Sequence, residues 1–321
     1  MIPQGLNINK IQKIYKSLSK YTIKTPLISG WPLINQILDT EVFFKLEFFQ
    51  NSGTFKVRGA INNIINSDNI KLKNGITAVS AGNHAIAASY VANLFNLKNK
   101  IFIYDSANPY RVEKCKDLNA NLYFTDPHSA FKDVENASKN EGYYFLHPFD
   151  GLLTLQGTAS LGFEIFNQIN DFDNILISVG GGGLISGIGS ALKQLNPRCK
   201  IIGIEPKGAM GLSQSLQIQK PLKKVKINTI ADSLSSPMHM EYSFKIAKEV
   251  IDELVTISDT EMITSMKFMF DNYKMILEPA CVTGIAALLG PLKNKLSNQK
   301  TIILLCGSNI DSKSWNNLVY K

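Results

Sequence analysis

The stretch ILISVGGGGLISGIGSALKQL, residues 175–195, combines a short apolar run, four consecutive glycines and an apolar pattern at helical spacing. The apolar run at 175–179 predicts a buried strand, and the spacing after the glycines predicts a helix. Gly180, Gly181, Gly182 and Gly183 then form the turn between them. Such a strand–turn–helix unit is typical of α/β folds, in which strands alternate with helices.

The same alternation recurs along the chain. Further buried strands are predicted at 76–79, 101–104, 122–124, 201–204 and 301–305. Strands that alternate with helices predict mostly parallel sheets with helices on both faces. In such folds ligands bind beyond the carboxyl ends of the strands, so we expect the glycine-bearing turns to gather at one site.

The composition indicates a globular protein and excludes several classes of function. The chain has 321 residues, 45% of them hydrophobic, and no apolar run approaches the ~18 residues of a transmembrane helix. Residues 1–20 lack the apolar core of a secretory signal peptide, so we expect a cytoplasmic protein. The scattered cysteines, without a CxxC pair, predict neither a disulfide framework nor a zinc site.

The formal net charge of +8 is carried almost entirely by lysine. Arg58, Arg111 and Arg198 are the arginines of the chain, and arginine is the residue preferred for bidentate contacts with phosphates and bases. The charge therefore predicts a solvated, lysine-coated surface and no nucleic-acid partner.

Two of the predicted turns have the features of anion sites. Residues 180–183 open a helix, where backbone N–H groups can approach a single phosphate closely, and they match neither GxxxxGK[ST] nor GxGxxG. Residues 80–84, Ser-Ala-Gly-Asn-His, also lie between a strand and a helix and could hold a carboxylate. The alternatives are a glycine turn that binds nothing, and a serine-capped helix start with a packing histidine.

The segment SGTFKVRGA, residues 52–60, places Lys56 between bulky residues and glycines. A lysine in a partly apolar pocket has a lowered pKa, which makes it a usable nucleophile towards a carbonyl cofactor. The alternative for any single lysine is a solvated surface position. Cys306, in the turn after the last strand, would by itself be interpreted as a small buried apolar residue.

Together and in order, these motifs resemble the fold-type II pyridoxal 5′-phosphate (PLP) enzymes, and among them the threonine/serine dehydratases. The motifs are TPL at 25–27, KLE at 45–47, SGTFKVRGA at 52–60, SAGNHA at 80–85, HPFD at 147–150, QGT at 156–158, SVGGGGL at 178–184, LEPA at 277–280 and LCGSNID at 305–311. The resemblance implies an α/β fold like that of the tryptophan synthase β chain, with two open, twisted, mostly parallel sheets. It also implies a large PLP-binding domain, residues 1–74 plus 150–321, and a small mobile domain, residues 75–149.

The resemblance assigns roles to individual residues as well. Lys56 is expected to carry PLP as a Schiff base and to act as the catalytic base. The substrate is expected to bind at Ser80, Ala81, Gly82, Asn83 and His84. The other expected cofactor contacts are Phe55 on the ring, Asn83 at the phenolic oxygen, Gly180, Gly181, Gly182, Gly183 and Leu184 around the phosphate, Glu278 of LEPA, and Cys306 at the pyridine nitrogen.

The expected reaction is β-elimination of water from L-threonine or L-serine, which yields 2-oxobutyrate or pyruvate and ammonia. A cysteine beside the ring nitrogen leaves it largely neutral, which favours elimination. Related serine racemases have a second base, a serine, at the position of Ala81, and alanine cannot take up a proton. The alternatives are a serine or aspartate racemase, a dehydratase of 3-hydroxyaspartate or another hydroxy amino acid, and an amino-acid-binding module without catalysis.

The resemblance leads to no predicted metal. Glu205 and Ala209 match the family's divalent-cation site, but Gly211 stands where the family often has aspartate. Asp232-Ser233 replaces the family's Asp-Gly near the substrate. We expect a homodimer with no membrane partner and, since the chain ends soon after CGSNID, no regulatory domain.

Overall fold

The computed structural model describes residues 2–30 and 33–320, and its strands form two separate β-sheets. The strands, numbered in chain order, are β1 (Leu27–Ser29), β2 (Glu41–Leu46), β3 (Ile76–Ser80), β4 (Asn99–Tyr104), β5 (Leu122–Thr125), β6 (Tyr144–Phe145), β7 (Asn174–Ser178), β8 (Lys200–Pro206), β9 (Glu253–Ile257) and β10 (Lys300–Leu305). The six-stranded sheet has the order β1-β2-β10-β7-β8-β9, and the four-stranded sheet has the order β5-β4-β3-β6.

All neighbouring strands are parallel except β1, which pairs antiparallel with β2 at the edge of the larger sheet. The helices are α1 (Ile8–Leu18), α2 (Leu33–Leu38), α3 (Lys56–Asn66), α4 (Asn69–Leu72), α5 (Asn83–Leu94), α6 (Pro109–Asp117), α7 (Ala130–Glu141), α8 (Leu152–Gln168), α9 (Gly183–Leu195), α10 (Gly211–Gln217), α11 (Glu241–Val250), α12 (Asp259–Tyr273), α13 (Thr283–Leu289) and α14 (Ser312–Val319). No helix in residues 2–30 and 33–320 is long and apolar enough to cross a membrane.

The continuous apolar runs are explained by helices on both faces of each sheet. In β7, Ile175 and Ile177 pack into the core beside α8, α9 and α11, whereas Leu176 packs into the opposite core beside α12 and α13. In the smaller sheet, Ala78 faces α3 and α5, and Val79 faces α7. A strand buried on both faces needs apolar residues at every position rather than at alternate ones. The predicted fold class is therefore confirmed.

The carboxyl ends of β3, β7 and β10 lead directly into the turns at 80–84, 180–183 and 306–309. The smaller sheet comprises residues within the predicted domain 75–149, but the domain bounds and the mobility of that domain stay predictions.

A buried cluster of four charged side chains ties together three elements beneath the start of α3. Lys45 of β2 donates from Nζ to Glu164 of α8 at 2.6 Å, and Arg58 of α3 donates from Nε to Glu47 at 2.6 Å. Arg58 Nη2 also reaches Glu164 Oε1 at 3.0 Å, and all four side chains are at most 1% exposed. Two cations face two carboxylates, so each buried charge has a partner. Burial lowers the pKa of Lys45, and Glu164 opposes that shift. The opposite charges therefore offset the cost of burying this lysine.

We predict that Glu164→Gln lowers the free energy of unfolding by about 3 kcal/mol, because it leaves Lys45 and Arg58 sharing one buried carboxylate. The matched control is Glu135→Gln, which removes an exposed partner of Lys139 and should change the free energy by less than about 0.5 kcal/mol. Urea denaturation measures both, and an equal loss in the two variants would contradict a structural role for the cluster.

Candidate active site

Lys56 is the first residue of α3, and this helix start is fixed to the end of β10. Phe55 N donates to the carbonyl of Cys306 at 3.0 Å, and Ser308 N donates to the carbonyl of Gly53 at 2.9 Å. Gly53 has a φ of +68°, where a side chain is strained, and a Cβ there would lie 2.7 Å from the amide oxygen of Asn309. The glycine before Lys56 is therefore required by the close approach of these two segments.

The Lys56 amine lies in an enclosed, partly apolar setting. Its Nζ donates to the carbonyl of Pro148 at 2.6 Å and lies 5.0 Å from the centroid of the Phe55 ring. Burial lowers the pKa of Lys56 to about 8, and the Cys306 thiol opposes that shift. A neutral amine is thus accessible near physiological pH, as a nucleophile or general base needs.

The glycine turn forms a cradle of free N–H groups at the start of α9. Gly182 has a φ of +88°, and none of the N–H groups of residues 180–183 donates to an acceptor in the described part of the chain. A Cβ at Gly181 would lie 2.2 Å from the Phe149 ring, and one at Gly183 would lie 2.3 Å from the Phe149 carbonyl oxygen. The cradle and the helix N-terminus together suit a phosphate group.

The turn at 80–84 presents a second helix N-terminus to the same region. Ser80 Oγ accepts from Gly82 N at 2.9 Å, which closes the turn before α5, but no side chain of a described residue caps the helix itself. The N–H groups of Asn83 and His84, in the first turn of α5, have no intrahelical partner, because the first such bond runs from Ile86 N to Gly82 O. Such N–H groups can bind a carboxylate.

The side chain of Asn83 is held by three neighbours. Its Nδ2 donates to Glu278 Oε1 at 2.7 Å and to Ser233 Oγ at 3.0 Å, and its Oδ1 accepts from Asn309 Nδ2 at 2.8 Å. Glu278 does not line any of the three cavities that reach Lys56. The expected cofactor contacts of Asn83 and Glu278 stay predictions. A bond from Asn83 to a ligand would have to replace one of the present ones, and that to Ser233 is the longest.

Two of these cavities meet at Lys56, Phe149 and Gly181. The inner pocket brings together the residues expected to contact the cofactor, namely Phe55, Lys56, Gly180, Gly181, Gly182, Gly183, Leu184 and Cys306. The outer pocket brings together Lys56, the whole turn Ser80, Ala81, Gly82, Asn83 and His84, and a wall formed by Tyr104, Phe131, Asp232, Ser233, Ser235, Ser236 and Pro237.

Two histidines, the buried His84 and the partly buried His147, lie close to the lysine. His84 Nε2 lies 2.8 Å from the carbonyl of Leu146, and His147 Nδ1 accepts from the N–H of Asp150 at 2.9 Å. Burial and the nearby Lys56 lower the pKa of His84 to about 3, and burial with His84 and Lys56 does the same for His147. Both rings are therefore neutral and fix the backbone around Lys56.

Glu205 serves as a helix cap in this fold. Its carboxylate accepts from Leu212 N at 2.7 Å, Ser213 N at 2.9 Å and the Ser213 hydroxyl, all in the first turn of α10. Among the described residues, no three His, Cys, Asp or Glu side chains are grouped as a metal ion would need. Ala209 and Gly211 have no side-chain atom that could bind a metal.

The sequence patterns placed Asp232 and Ser233 near the substrate but missed Tyr104 and Phe131 of the outer pocket, and Arg111 beside it. Tyr104 ends β4, Phe131 lies in the first turn of α7, and Arg111 of α6 contacts Asp232 and Glu278. None of the three stands in a recognisable motif. The only signal for Arg111 is that it is a rare arginine in a lysine-rich chain.

Comparison with known proteins identifies the cofactor. Residues 18–307 match the family described as pyridoxal-phosphate dependent enzyme. The chain belongs to the pyridoxal-phosphate dependent enzymes. It is 40% identical to a phenylserine dehydratase of Ralstonia pickettii over 86% of this chain and 85% of that protein. It is 32% identical to an L-threonine ammonia-lyase of Geobacter sulfurreducens over 98% and 77%. The structure of maize serine racemase superposes with a TM-score of 0.90 at 29% identity, over 98% and 97% of the two chains.

These relatives confirm the predicted family, fold-type II PLP enzymes of the threonine/serine dehydratase type, and the predicted cofactor. The residues present also fit PLP. A phosphate needs unpaired N–H donors, and the glycine cradle offers them at the end of an inner pocket that also contains the Lys56 amine and the Cys306 thiol. The positions of Phe55, Leu184 and Cys306 relative to the bound cofactor stay predictions.

We predict that Gly183→Ala weakens PLP binding at least about tenfold, because the added methyl collides with the Phe149 backbone and widens the cradle. Gly181→Ala should also weaken binding, but its methyl meets only the Phe149 ring. Adding Phe149→Ala should therefore restore binding to Gly181→Ala and not to Gly183→Ala. Absorbance titration of cofactor-free protein with PLP measures each affinity, and equal rescue of both variants would argue against the cradle.

Proposed function

We propose that this enzyme removes water from a β-hydroxy-α-amino acid of the threonine or serine class, producing 2-oxobutyrate or pyruvate and ammonia. The observation that carries the proposal is the Lys56 amine, with a pKa near 8, in a cavity that also contains the two helix N-termini. One N-terminus suits the phosphate of PLP and the other suits the carboxylate of an amino acid.

In this reaction the turn at 80–84 binds the substrate and Lys56 transfers the proton. The N–H groups at the start of α5 and the Ser80 hydroxyl hold the substrate carboxylate. PLP, held by Lys56 and the glycine cradle, would supply the electron withdrawal that makes the substrate's Cα proton acidic. Lys56 removes the Cα proton, the Cα–H and Cβ–O bonds break and a Cα=Cβ bond forms. The protonated Lys56 amine then returns this proton to the departing hydroxyl, which leaves as water. Hydrolysis of the released enamine then gives the 2-oxo acid and ammonia.

Ala81 favours elimination over racemisation. A racemase needs a second group that returns a proton to the opposite face of Cα. The methyl side chain of Ala81 cannot donate a proton. His84, with a pKa of about 3, is neutral and a poor proton donor at physiological pH.

The charges of the outer pocket favour a substrate with an uncharged β-substituent. Among the described residues that line this pocket, Lys56 is the one lysine or arginine, and Asp232 adds a negative charge. Arg111 lies nearby, but Asp232 and Glu278 already occupy its guanidinium. A second carboxylate, as in 3-hydroxyaspartate, would find no free cation there, so hydroxyaspartate is disfavoured.

A second candidate substrate is 3-phenylserine. The outer pocket is lined by Tyr104, Phe131, Phe149 and Pro237, and the hydroxyl of Tyr104 makes no hydrogen bond in the described part of the chain. Aromatic walls stabilise an aryl group by offset or edge contacts. The phenylserine dehydratase relative supports the same choice.

We further propose that residues 75–149 form a small domain that closes over the substrate and excludes water. The proposed assembly is a homodimer and the proposed compartment is the cytoplasm. These proposals rest on the family resemblance and, for the compartment, on the four cysteines, which are all free in this structure.

Release of 2-oxo acid from L-threonine, L-serine, D-serine, 3-hydroxyaspartate and 3-phenylserine tests the reaction. We expect product from L-threonine, L-serine or 3-phenylserine, and none from any substrate with Lys56→Ala, which lacks the base. Lys139→Ala removes an exposed lysine and should keep full activity. Wild-type protein that binds PLP and releases no 2-oxo acid from any of the five would refute the proposed dehydration.

Phe131→Ala tests the aromatic wall. It should lower kcat/KM for 3-phenylserine about tenfold or more and change that for L-threonine less than about threefold, because only the aryl group loses a ring contact. The control is Phe124→Ala, which removes a 57% exposed ring of β5 that does not line the pocket. The aryl candidate fails if Phe131→Ala changes both substrates equally.

A further inference from the structure

Arg111 is a buried cation with no place in the sequence motifs or in the chemistry described above. It lies in α6, on the side of the four-stranded sheet, and is only 3% exposed. Its Nη1 contacts Asp232 Oδ2 at 2.5 Å, its Nη2 contacts Glu278 Oε2 at 3.3 Å, and its Nε donates to the carbonyl of Asn309 at 2.9 Å. One guanidinium thus joins three separate segments: the one at Asp232, the one at Glu278, and the turn after β10 that contains Asn309.

The aliphatic part of the same side chain supports the turn at 80–84. A Cβ at Gly82 would lie 2.2 Å from Arg111 Cδ, so Gly82 has no side chain where the arginine passes. The head group acts on the turn through Glu278, whose Oε1 accepts from Asn83 Nδ2 at 2.7 Å. Arg111 therefore contacts the carboxylate-binding turn directly and holds Asn83 through one intermediate.

The Arg111 guanidinium also contacts the segment 232–237, which lines the outer pocket. Asp232 and Ser233 begin the segment 232–237, and Arg111 Nη2 also lies 3.5 Å from Ser233 Oγ. Asp232 is 48% exposed at its side chain, whereas Glu278 is 1% exposed. The Asp232 contact is thus the one that can open to solvent, and the Glu278 contact is the fixed anchor.

We propose that Arg111 is a positioning residue that aligns the turn at 80–84 with the segment 232–237 when an amino acid binds. The inference rests on the proposed function for the identity of the bound ligand, an α-amino acid. Without the guanidinium, the pocket would still contain Lys56 and the glycine cradle, but its two walls would no longer be joined.

The electrostatics of Glu278 provide a signature. Burial raises the pKa of Glu278, while Arg111 opposes that shift and Asp232 adds to it. The groups that face this carboxylate are Arg111, Asp232, the Asn309 N–H and the Asn83 amide. Removal of the cation leaves burial and Asp232 opposed only by the hydrogen bonds from the Asn309 N–H and the Asn83 amide, so Glu278 takes up a proton at a higher pH. Asn83 then loses an ionised acceptor.

The test uses the PLP-loaded enzyme with Arg111→Met, Arg111→Lys and the matched control Arg198→Met, which replaces an exposed arginine. The readouts per mole of bound PLP are kcat and KM for L-threonine or 3-phenylserine, the pH profile of kcat/KM, and the affinity for L-alanine. Alanine lacks a β-leaving group, so its binding, followed by cofactor absorbance, reports positioning even if no substrate is turned over.

We expect Arg111→Met to lower kcat/KM and alanine affinity about 100-fold, since a buried charge pair loses one partner. Its acid limb should move to higher pH. Arg111→Lys should recover at least about tenfold, because it restores the charge but not the forked contact with two carboxylates. Arg198→Met should match the wild type. Values for Arg111→Met within about twofold of the wild type, with an unshifted acid limb, would overturn the proposal.

Asp232→Asn tests the same contact without removing the buried arginine, in case Arg111→Met does not fold. It removes only the exposed arm and should raise KM and weaken alanine binding, with PLP content and melting temperature unchanged. Unchanged alanine affinity in this variant would overturn the role of Arg111 in joining the walls. A wild-type enzyme that binds alanine but dehydrates nothing would refute the proposed reaction and leave the positioning role intact.

Discussion

The fold depends on a neutral group of four charges that lies beneath the start of the lysine helix. Arg58 and Lys45 face Glu47 and Glu164 without solvent, and these residues belong to β2, the turn after it, α3 and α8. A buried ion whose partner moves away faces an uncompensated desolvation cost, so the elements cannot slide past one another cheaply. Lys56 lies two residues before Arg58 in the same helix, so the ion cluster also fixes the position of its backbone. The amine can then sit in a desolvated position without moving back towards water.

The same rigidity explains how one cavity can serve two anions. The N-terminus of α9 and the N-terminus of α5 come from different sheets, and each presents N–H groups without intrahelical partners. Their positive potential falls off within a turn of helix, so the two sites remain distinct even though Lys56 lines both pockets. In the proposed reaction, a phosphate at one N-terminus and a carboxylate at the other would both lie in pockets that Lys56 lines.

Much of this arrangement could be predicted from local patterns, because it rests on local causes. The strands, the glycine turn and the setting of Lys56 follow from hydrophobic spacing and from the need for free backbone N–H groups. The burial of Lys45 has no local cause. The lysine-rich composition predicts a lysine-coated surface in general, but Lys45 is buried, and Glu164, 119 residues away, makes its burial possible.

Arg111 and Glu205 illustrate the same limit. The partners of Arg111 lie 121 and 167 residues further along the chain, and no spacing rule connects them. Glu205 matched a cation-site pattern, but whether its oxygens face an ion or the first turn of α10 depends on a backbone path that composition does not encode. Pairings across a fold are set by tertiary geometry rather than by sequence neighbours.

The contact between Gly82 and Arg111 also limits the order in which this sequence can change over evolutionary time. Any side chain at position 82 would overlap the arginine stem, whereas a shorter residue at 111 would leave space for it. Position 111 must therefore change first, and the intermediate would keep Glu278 buried without its cation. The two positions are thus coupled through this contact, and a change at one alters what the other can accept.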